Sequence, residues 1–478
     1  MSEQPAPGAA PDAAAGAATA PGVDELLAAD VEHHLHPFTD PRDLQRRPPR
    51  LIVRGEGVRI WDGEGREILD AMSGLWCVNL GYGRRDLADA AHEQLLRLPY
   101  YNTFFRSTTP PAAELAREIT ALAPGGMRHV FFTESGSSAN DTMVRIVRRY
   151  WELRGQPGRK VLIARRNAYH GSTLAAASLG GMADMHAQGG LPLPDFEHIE
   201  QPHQLALARP GESEQEFGLR AAGWLEQRIA EIGPERVAAF VMEPVQGAGG
   251  VIVPPAGYAR EIQRICRRHE VLLVSDEVIC GFGRLGHWFG CQHPHIGIEP
   301  DLITFAKGVT SGYLPLGGVL LGPRVGGELA ARGGEFEHGF TYSGHPACCA
   351  VALATLRALR AEGVLEHVRE RAEPRLRAGF AELARHPLAG DPAGLGLTAA
   401  LMLWRDKARR VPFPAEAQAG LRCREACFDA GVVMRAVGSR MIVAPPLVST
   451  EAEIDEMVRR IGLALDQTRD GLRADGWL

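Results

Sequence analysis

Lysine is nearly absent from this chain of 478 residues. Of its 52 basic residues, only three are lysines, Lys160, Lys307 and Lys407. An arginine keeps its charge in proteins and cannot form an imine, whereas a lysine amine can lose its proton and attack a carbonyl carbon. Lys160 lies in a predicted loop, and Lys407 lies in a charged run that we interpret as solvated. Lys307 follows an apolar run and precedes a glycine, so it is the candidate for chemistry.

Other absences narrow the class of protein. No run of about 18 apolar residues occurs, so no membrane span is predicted, and we predict no signal peptide at the first residues. The net charge of −6 gives no indication of a nucleic-acid partner. None of the eight cysteines forms a CxxC pair, so we predict reduced thiols and a cytoplasmic location. Residues 1–22 are mostly Ala, Pro and Gly, which predicts a disordered tail.

Three histidines lie close together near the N terminus. Residues 24–37 predict a short helix stopped by a proline, and His33, His34 and His36 fall at its end. No acidic residue follows them at the spacing of a metal-binding motif. The sequence therefore predicts no metal site at these histidines.

Strands and helices alternate from about residue 127 to residue 322. This alternation is typical of an α/β protein with a mostly parallel, doubly wound sheet. The flanking segments lie outside the pattern, and we expect them to form a smaller α+β domain built from both termini. The predicted divisions are a disordered tail (1–22), the N-terminal part of the small domain (23–73), the large domain (74–345) and the C-terminal part of the small domain (346–478).

The stretch from Val271 to Gly318 carries the strongest chemical signal. One apolar run ends on Asp276, and a second short strand ends on Lys307. If these strands are parallel neighbours, the acid and the amine meet at one edge of the sheet, where open α/β sheets bind ligands. Such a pair beside glycines fits a pyridoxal 5'-phosphate site, in which the lysine forms the Schiff base and the aspartate pairs with the pyridinium nitrogen.

Polar residues also follow other predicted strands. The turn Thr133–Asn140 leads from a strand into a helix, and its backbone N–H groups can hold a phosphate. Tyr169 follows the strand 161–164, and an aromatic ring in that position can stack on a flat ligand. Glu243 ends a further strand. All these groups would lie at the same edge of the sheet.

Together the motifs resemble those of the class III aminotransferases, which are fold-type I pyridoxal phosphate enzymes. More narrowly, they resemble the ω-amino acid or amine:pyruvate transaminases, including those of the putrescine:pyruvate type. The resemblance covers about residues 30–465. The motifs that carry it are His36-Pro-Phe-Thr-Asp40, Gly74-Leu-Trp-Cys-Val-Asn-Leu-Gly-Tyr-Gly83, Tyr101-Asn-Thr-Phe-Phe105, Tyr169-His-Gly-Ser-Thr173, Glu243-Pro-Val-Gln-Gly-Ala-Gly-Gly250, Asp276-Glu-Val-Ile-Cys-Gly-Phe-Gly283, Phe340-Thr-Tyr-Ser-Gly-His345 and Met434-Arg-Ala436.

The resemblance implies a role for each matching residue. Lys307 is the Schiff-base lysine, and Asp276 keeps the pyridinium nitrogen protonated. The other implied cofactor contacts are Gly136, Ser137, Tyr169, His170, Glu243, Val278 and Thr341. Among them, Thr341 reaches the phosphate from a second subunit, which implies a homodimer or a dimer of dimers. The implied substrate pocket consists of Phe38, Trp76, Phe104, Ala248 and Arg435, the last of which pairs with a substrate carboxylate.

Two positions depart from the commonest family pattern. Ser138 stands where many members have a glutamate, which removes a carboxylate that would cap the following helix. Ile279 stands where many members have a glutamine, and this departure favours the amine:pyruvate subgroup.

The implied reaction moves an amino group from an ω-amino acid, a diamine or another primary amine to pyruvate, giving an aldehyde or ketone and alanine. One alternative is other class III chemistry, such as 2-oxoglutarate-dependent transamination, a mutase or a decarboxylase, since the same lysine and aspartate serve all of them. The other alternative is a catalytically silent subunit that binds the cofactor.

Overall fold

The structure, a computed structural model, describes residues 22–478. The predicted disordered tail therefore lies outside the described residues except for Gly22. The helices are α1 (Val23–His33), α2 (Pro41–Arg46), α3 (Ser73–Trp76), α4 (Arg85–Arg97), α5 (Pro110–Leu122), α6 (Gly136–Leu153), α7 (Leu174–Leu179), α8 (Ala183–His186), α9 (Gln204–Leu207), α10 (Glu214–Ile232), α11 (Tyr258–Arg268), α12 (Pro323–Arg332), α13 (Pro346–Ala361), α14 (Val364–His367), α15 (Glu373–Leu383), α16 (Ala419–Asp429) and α17 (Glu451–Ala474). The strands are β1 (Ile52–Glu56), β2 (Arg59–Asp62), β3 (Glu67–Asp70), β4 (His129–Thr133), β5 (Val161–Arg165), β6 (Phe196–Ile199), β7 (Val237–Met242), β8 (Leu272–Asp276), β9 (Leu302–Phe305), β10 (Gly317–Leu321), β11 (Ala389–Gly394), β12 (Ala399–Asp406), β13 (Val411–Pro412), β14 (Val432–Val433), β15 (Arg435–Val437) and β16 (Arg440–Val443).

A seven-stranded sheet forms the centre of the larger part of the chain. Its strand order is β4-β10-β9-β8-β7-β5-β6. The five strands β5 to β9 run parallel to one another, and β10 is antiparallel to both of its neighbours. Strands β5, β7, β8, β9 and β10 are buried along their whole length, which explains why they appear in the sequence as unbroken apolar runs. The prediction of an α/β fold with a mostly parallel sheet is confirmed.

The chain divides into two compact units. The first comprises Met1–Arg54 and Trp61–Arg66, and the second comprises Gly55–Ile60 and Glu67–Leu478. Within the second unit, the C-terminal part forms an antiparallel sheet of β11, β12, β16 and β15, with β13 paired to β12. Strand β14 pairs in parallel with β3. The predicted domain boundaries after residues 73 and 345 stay predictions.

The ends of two helical regions have local causes. Helix α10 begins at Glu214 because Ser213 and Glu216 form a reciprocal capping box. The long helical region after residue 346 is not continuous. It turns at Gly363, where φ is +60°, and widens into a π-helix at Val368–Ala372, just before the proline in the first turn of α15.

Among the described residues, no helix has the length and apolar character needed to cross a membrane.

Candidate active site

Asp276 and Lys307 follow two adjacent parallel strands. Strand β8 ends at Asp276, and in the register of β8 with β9 this aspartate lies opposite Thr304, three residues before Lys307. Both side chains line one cavity of about 400 Å³ at this edge of the sheet. The predicted site residues that line the cavity are Gly136, Ser137, Tyr169, His170, Asp276, Val278 and Lys307.

Asp276 is buried and held by three donors. His170 Nδ1 lies 2.6 Å from Oδ2, and the Asn140 amide donates to the same oxygen at 2.9 Å. Oδ1 accepts one bond, from the Val278 backbone N–H at 3.1 Å. Burial acts to raise the pKa of Asp276, but the hydrogen bonds from His170, Asn140 and Val278 outweigh it, so the pKa lies below its usual value. The aspartate is therefore ionised, with accepting capacity left on Oδ1.

Lys307 has the properties of a reactive amine. Its backbone has a φ of +48°, an unusual value for a residue with a side chain. Burial lowers the pKa of Lys307, while Asp276 acts in the opposite direction. Such a shift increases the fraction of neutral amine, which is the nucleophilic form.

The other two lysines make structural contacts. Lys160 forms an ion pair with Asp195 at 3.3 Å. Lys407 is half-buried and donates from Nζ to the carbonyl oxygens of Ala384 and His386, at 2.5 and 3.1 Å. Our interpretation of Lys407 as a solvated residue was therefore wrong. Of the three lysines, Lys307 is the one that lines the cavity.

The N-terminus of α6 opens onto the same cavity. Ser135 caps this helix, and Ser138 completes a capping box by accepting from the Ser135 backbone N–H at 3.0 Å. A serine thus supplies the cap that the family's glutamate would give. Gly136 is required at this point, because a Cβ there would lie 2.8 Å from Val278. The free N–H groups of the first turn and the helix dipole favour an anion.

Glu243 lies behind Tyr169, where it is buried and only partly satisfied. Its Oε1 accepts from the Tyr169 backbone N–H at 2.9 Å, whereas Oε2 has no hydrogen-bond partner among the described residues. The guanidinium of Arg165, itself buried, lies 4.0 Å from Oε2. Burial raises the pKa of Glu243 to about 7, with His170 and Arg165 acting in the opposite direction. The carboxyl therefore exchanges its proton near neutral pH.

We expect Glu243→Gln to change how stability depends on pH. A carboxyl whose pKa is raised in the folded state stabilises the fold at low pH, and this contribution is lost as the pH rises from about 4.5 through about 7. The amide cannot ionise, yet it can still accept the Tyr169 bond. The melting temperature of the variant, measured relative to the parent, should therefore increase between about pH 5 and about pH 8. Glu335→Gln, at an exposed position, is the control. If the difference in melting temperature between Glu243→Gln and the parent were equal at both pH values, the raised pKa of Glu243 would be contradicted.

The remaining predicted residues do not line the cavity. Trp76 and Ala248 are buried in the same unit. They lie near each other, because a Cβ built on Gly247, the residue before Ala248, would lie 3.6 Å from the Trp76 ring. Phe104 is half-buried against Gly339, and Thr341 is exposed. Phe38 belongs to the first unit and is also exposed. Their substrate and cofactor roles stay predictions.

Arg435 begins β15 and is half-buried. Burial lowers its pKa, and the nearby phenol of Tyr169 acts in the opposite direction. Among the described residues, no carboxylate forms an ion pair with its guanidinium, unlike the guanidinium of Arg59 or Arg84. A half-buried arginine without a carboxylate partner is suited to receive one from a ligand.

The sequence did not indicate every residue of the site. Asn140 ends the turn that we predicted to hold a phosphate, but its bond from inside α6 to Asp276 was not predicted. The segment from Thr310 to Leu316 contributes most of one wall. It follows Lys307 directly, so its closeness to the lysine could have identified it.

A comparison with known families decides the identity of this site. The family model described as aminotransferase class-III matches residues 43–465, which is most of the chain. The chain is a class III aminotransferase. The prediction of a fold-type I transferase is thereby confirmed.

Individual relatives of this aminotransferase agree with the family. It is 52% identical over 445 residues to a putrescine–pyruvate aminotransferase of Pseudomonas aeruginosa, covering 93% of this chain and 96% of that protein. It is 40% identical to a diaminobutyrate–2-oxoglutarate transaminase of Halomonas elongata, covering 95% and 98% of the two chains. The crystal structure of an ω-transaminase from Pseudomonas jessenii in complex with PMP has a TM-score of 0.91 at 40% identity, covering 94% of this chain and all of that one.

The cofactor of this aminotransferase is pyridoxal 5'-phosphate, and the cavity fits it. The cofactor requires an amine for its aldehyde, a carboxylate for its ring nitrogen and donors for its phosphate. Lys307, Asp276 and the N-terminus of α6 supply these three groups around one cavity. Gly171, with a φ of +132°, allows the chain to pass within van der Waals contact of Ser137, where a Cβ would lie 2.6 Å from the serine hydroxyl. The bare backbone leaves room for a phosphate at this turn.

Proposed function

We propose that this aminotransferase moves an amino group from a primary amine, such as a diamine or an ω-amino acid, to pyruvate. The observation that carries the proposal is Arg435, a half-buried cation near Tyr169 without a carboxylate partner. Pyruvate has one carboxylate to offer it. The putrescine–pyruvate aminotransferase of P. aeruginosa, the most similar of the relatives described above, supports this choice of donor and acceptor.

The acceptor preference also follows from the charges of the cavity. Among the described residues that line it, Lys307 is the sole lysine or arginine, and its amine is committed to the cofactor. Arg435, which lies outside this lining, is the cation that we assign to one substrate carboxylate, and 2-oxoglutarate would bring a second carboxylate for which we assign no cation. Burying a carboxylate without a partner costs on the order of several kcal/mol. Pyruvate avoids this cost.

The residues of the chain divide the work of the reaction. When bound, pyridoxal phosphate supplies an electron-accepting ring that delocalises the charge left on the substrate carbon. Asp276, whose pKa is lowered, would hold a proton on the ring nitrogen. Lys307 would hold the cofactor through its amine, and its neutral Nζ would serve as the base that takes the proton from the substrate carbon. We assign Gly136 and Ser137 to the phosphate, Tyr169 and Val278 to the two ring faces, and His170 and Glu243 to the support of Asp276 and Tyr169.

We also propose the pocket and the assembly that the family resemblance implies. Trp76, Phe104, Ala248 and Phe38 would form the apolar part of the substrate pocket. Thr341 would complete the phosphate site of a second copy of the chain, which its exposure outside its own cavity supports. The competent unit is then a homodimer or a dimer of dimers, with a large cofactor domain at 74–345 and a small domain from the two flanking segments. The eight free cysteines, seven of them buried, support a cytoplasmic location.

A matrix of donors and acceptors tests the proposed function. Putrescine, cadaverine, β-alanine, taurine and an aryl amine are each paired with pyruvate and with 2-oxoglutarate, and alanine and glutamate are quantified. We expect alanine to form, fastest with a diamine or an ω-amino acid, and glutamate to form slowly. Glutamate as the main product, or carbon dioxide release without amino transfer, would assign the chain to the other class III chemistries.

Replacing Arg435 should separate the two half-reactions. In Arg435→Ala, the half-reaction with pyruvate should slow by about 10- to 150-fold at sub-saturating pyruvate, because a charge-assisted bond of roughly 1.5–3 kcal/mol is lost. The half-reaction with putrescine should change little, since that donor has no carboxylate. Stopped-flow absorbance of the cofactor measures both.

Two variants serve as controls for Arg435→Ala. Arg435→Lys keeps the charge but not the planar fork, so it should show an intermediate loss. Arg405→Ala removes an exposed arginine of strand β12, which belongs to the same sheet as β15, and should leave both half-reactions unchanged. Equal losses in both half-reactions of Arg435→Ala would mean that Arg435 has a structural role.

A further inference from the structure

The three histidines near the N terminus have an acidic partner that precedes them. Asp30 lies in the last turn of α1, one turn before His34. Its Oδ1 lies 2.9 Å from His34 Nδ1, and its Oδ2 lies 2.6 Å from His36 Nε2. One ligand atom from each of these three residues lies within 4.8 Å of the other two. We had predicted no metal site because no acid follows the histidines, and the structure brings in the acid from the other side.

We propose that Asp30, His34 and His36 form a binding site for a zinc ion. Two imidazole nitrogens and one carboxylate are a ligand set that Zn²⁺ accepts, with a water completing a tetrahedron. The rings of His34 and His36 are 4.3 Å apart between centroids, so both can face one ion without rebuilding the loop. The open side of the site is toward solvent, since the His34 side chain is 61% exposed.

The adjustment needed to admit the ion is small. Zinc bonds of about 2.0–2.2 Å in a tetrahedron separate ligand atoms by roughly 3.3 Å. The two nitrogen–oxygen distances are 2.9 and 2.6 Å, so they must open by about 0.4 and about 0.7 Å. The segment that contains the histidines has few constraints, because no residue of α1 is buried. Each imidazole must also carry its proton on the nitrogen that does not face the ion, as neutral ligands do.

The electrostatics of the cluster favour a cation. Asp30 brings a carboxylate between the two imidazoles, with one oxygen 2.9 Å from His34 Nδ1 and the other 2.6 Å from His36 Nε2. Without a metal, the same three side chains make an ordinary carboxylate–imidazole pair of hydrogen bonds. A zinc site is therefore distinguished from these hydrogen bonds alone by whether the chain binds zinc at a fixed ratio of ions to chains.

Zinc at this site would connect helix α1 to the segment that follows it in the first unit. Asp30 belongs to α1, whereas His36 immediately precedes Pro37 and the turn at Phe38, whose φ is +50°. The next helix, α2, begins at Pro41 after its cap at Asp40. An ion bound between residues 30 and 36 would fix the direction in which the chain leaves α1. The ion would have a structural role and not a catalytic one, because the site lies on an exposed segment and contains no residue that we assign to the cofactor.

Calorimetric titration of the full-length, cofactor-loaded protein with zinc chloride tests the proposal. We expect one saturable site per chain. Asp30→Asn, His34→Gln and His36→Gln should each weaken it by about 10-fold or more, as the loss of one of three ligands implies. His33→Gln is the matched control, since His33 is adjacent in sequence, largely exposed and outside the cluster. That variant should bind zinc like the parent.

A second probe identifies the ligands directly. Cobalt(II) in place of zinc gives visible absorption bands whose intensity reports tetrahedral coordination, and these bands should disappear in His36→Gln but persist in His33→Gln. The chain has 17 histidines, so adventitious binding elsewhere is a defined outcome. Zinc uptake that all three ligand variants retain, or the absence of any saturable site in the parent, overturns the proposal.

Discussion

Lys307→Ala should abolish amino-group transfer. Lys307 is the lysine of the cavity, its pKa is lowered by burial, and Asp276 lies on the adjacent strand end. Alanine can neither bond to the cofactor nor move a proton, so we expect turnover to fall by at least about 10⁴-fold, the upper range for loss of a general acid–base group. The cofactor should still bind weakly through the N-terminus of α6. Steady-state rates and the cofactor absorbance spectrum measure the two effects.

The other lysines provide matched controls for this loss. Lys160→Ala removes an exposed ion pair with Asp195 and should cost little in stability and nothing in turnover. Lys407→Ala removes two bonds to carbonyl oxygens and should lower the melting temperature without changing the chemistry. Borohydride reduction followed by peptide mapping should label Lys307 alone in the parent. A label on Lys160 or Lys407 would refute the assignment.

Asp276→Asn should have the second largest effect. The asparagine has nearly the same shape, but it cannot balance a positive charge on the ring nitrogen. Loss of a preorganised charge at this position should slow the removal of the substrate proton by about 10²- to 10³-fold. The Lys307 bond to the cofactor should remain, because the amine and the phosphate site are unchanged. Exchange of the substrate Cα proton with solvent deuterium measures the step directly.

Asp301→Asn is the matched control for Asp276→Asn. Asp301 is a half-buried aspartate beside the central sheet, where it accepts from the Leu273 backbone N–H at 2.9 Å. It lies before β9, at the opposite end of that strand from Lys307. This variant should lose stability but keep proton exchange. Undiminished exchange in Asp276→Asn would show that the charge of this aspartate has no part in the reaction.

The central sheet and its catalytic pair were predictable because the signals are local. A buried parallel strand is an apolar run, and the residue that ends it lies at the ligand-binding edge whatever the rest of the chain does. Asp276 and Lys307 both follow such runs, so their meeting required only that β8 and β9 be parallel neighbours. The scarcity of lysine then indicated which amine carries the chemistry.

The remaining features depend on contacts between distant parts of the chain. Asn140 reaches Asp276 across 136 positions of sequence, and no periodicity in α6 indicates this bond. The environment of Arg435 depends on the pairing of β15 with β16, which the short apolar segments of that region do not specify. Asp30 was overlooked because we searched for an acid after the histidines, whereas a helix brings residues four positions apart together in either direction.

Transfer of labelled nitrogen tests the central claim most directly. Putrescine carrying an isotopic label in its amino groups is incubated with pyruvate and the cofactor-loaded protein, and the products are separated and analysed by mass spectrometry. The account predicts labelled alanine in an amount equal to the amino groups lost from putrescine, and none from Lys307→Ala. Label released as ammonia, or alanine that forms without label, would contradict it.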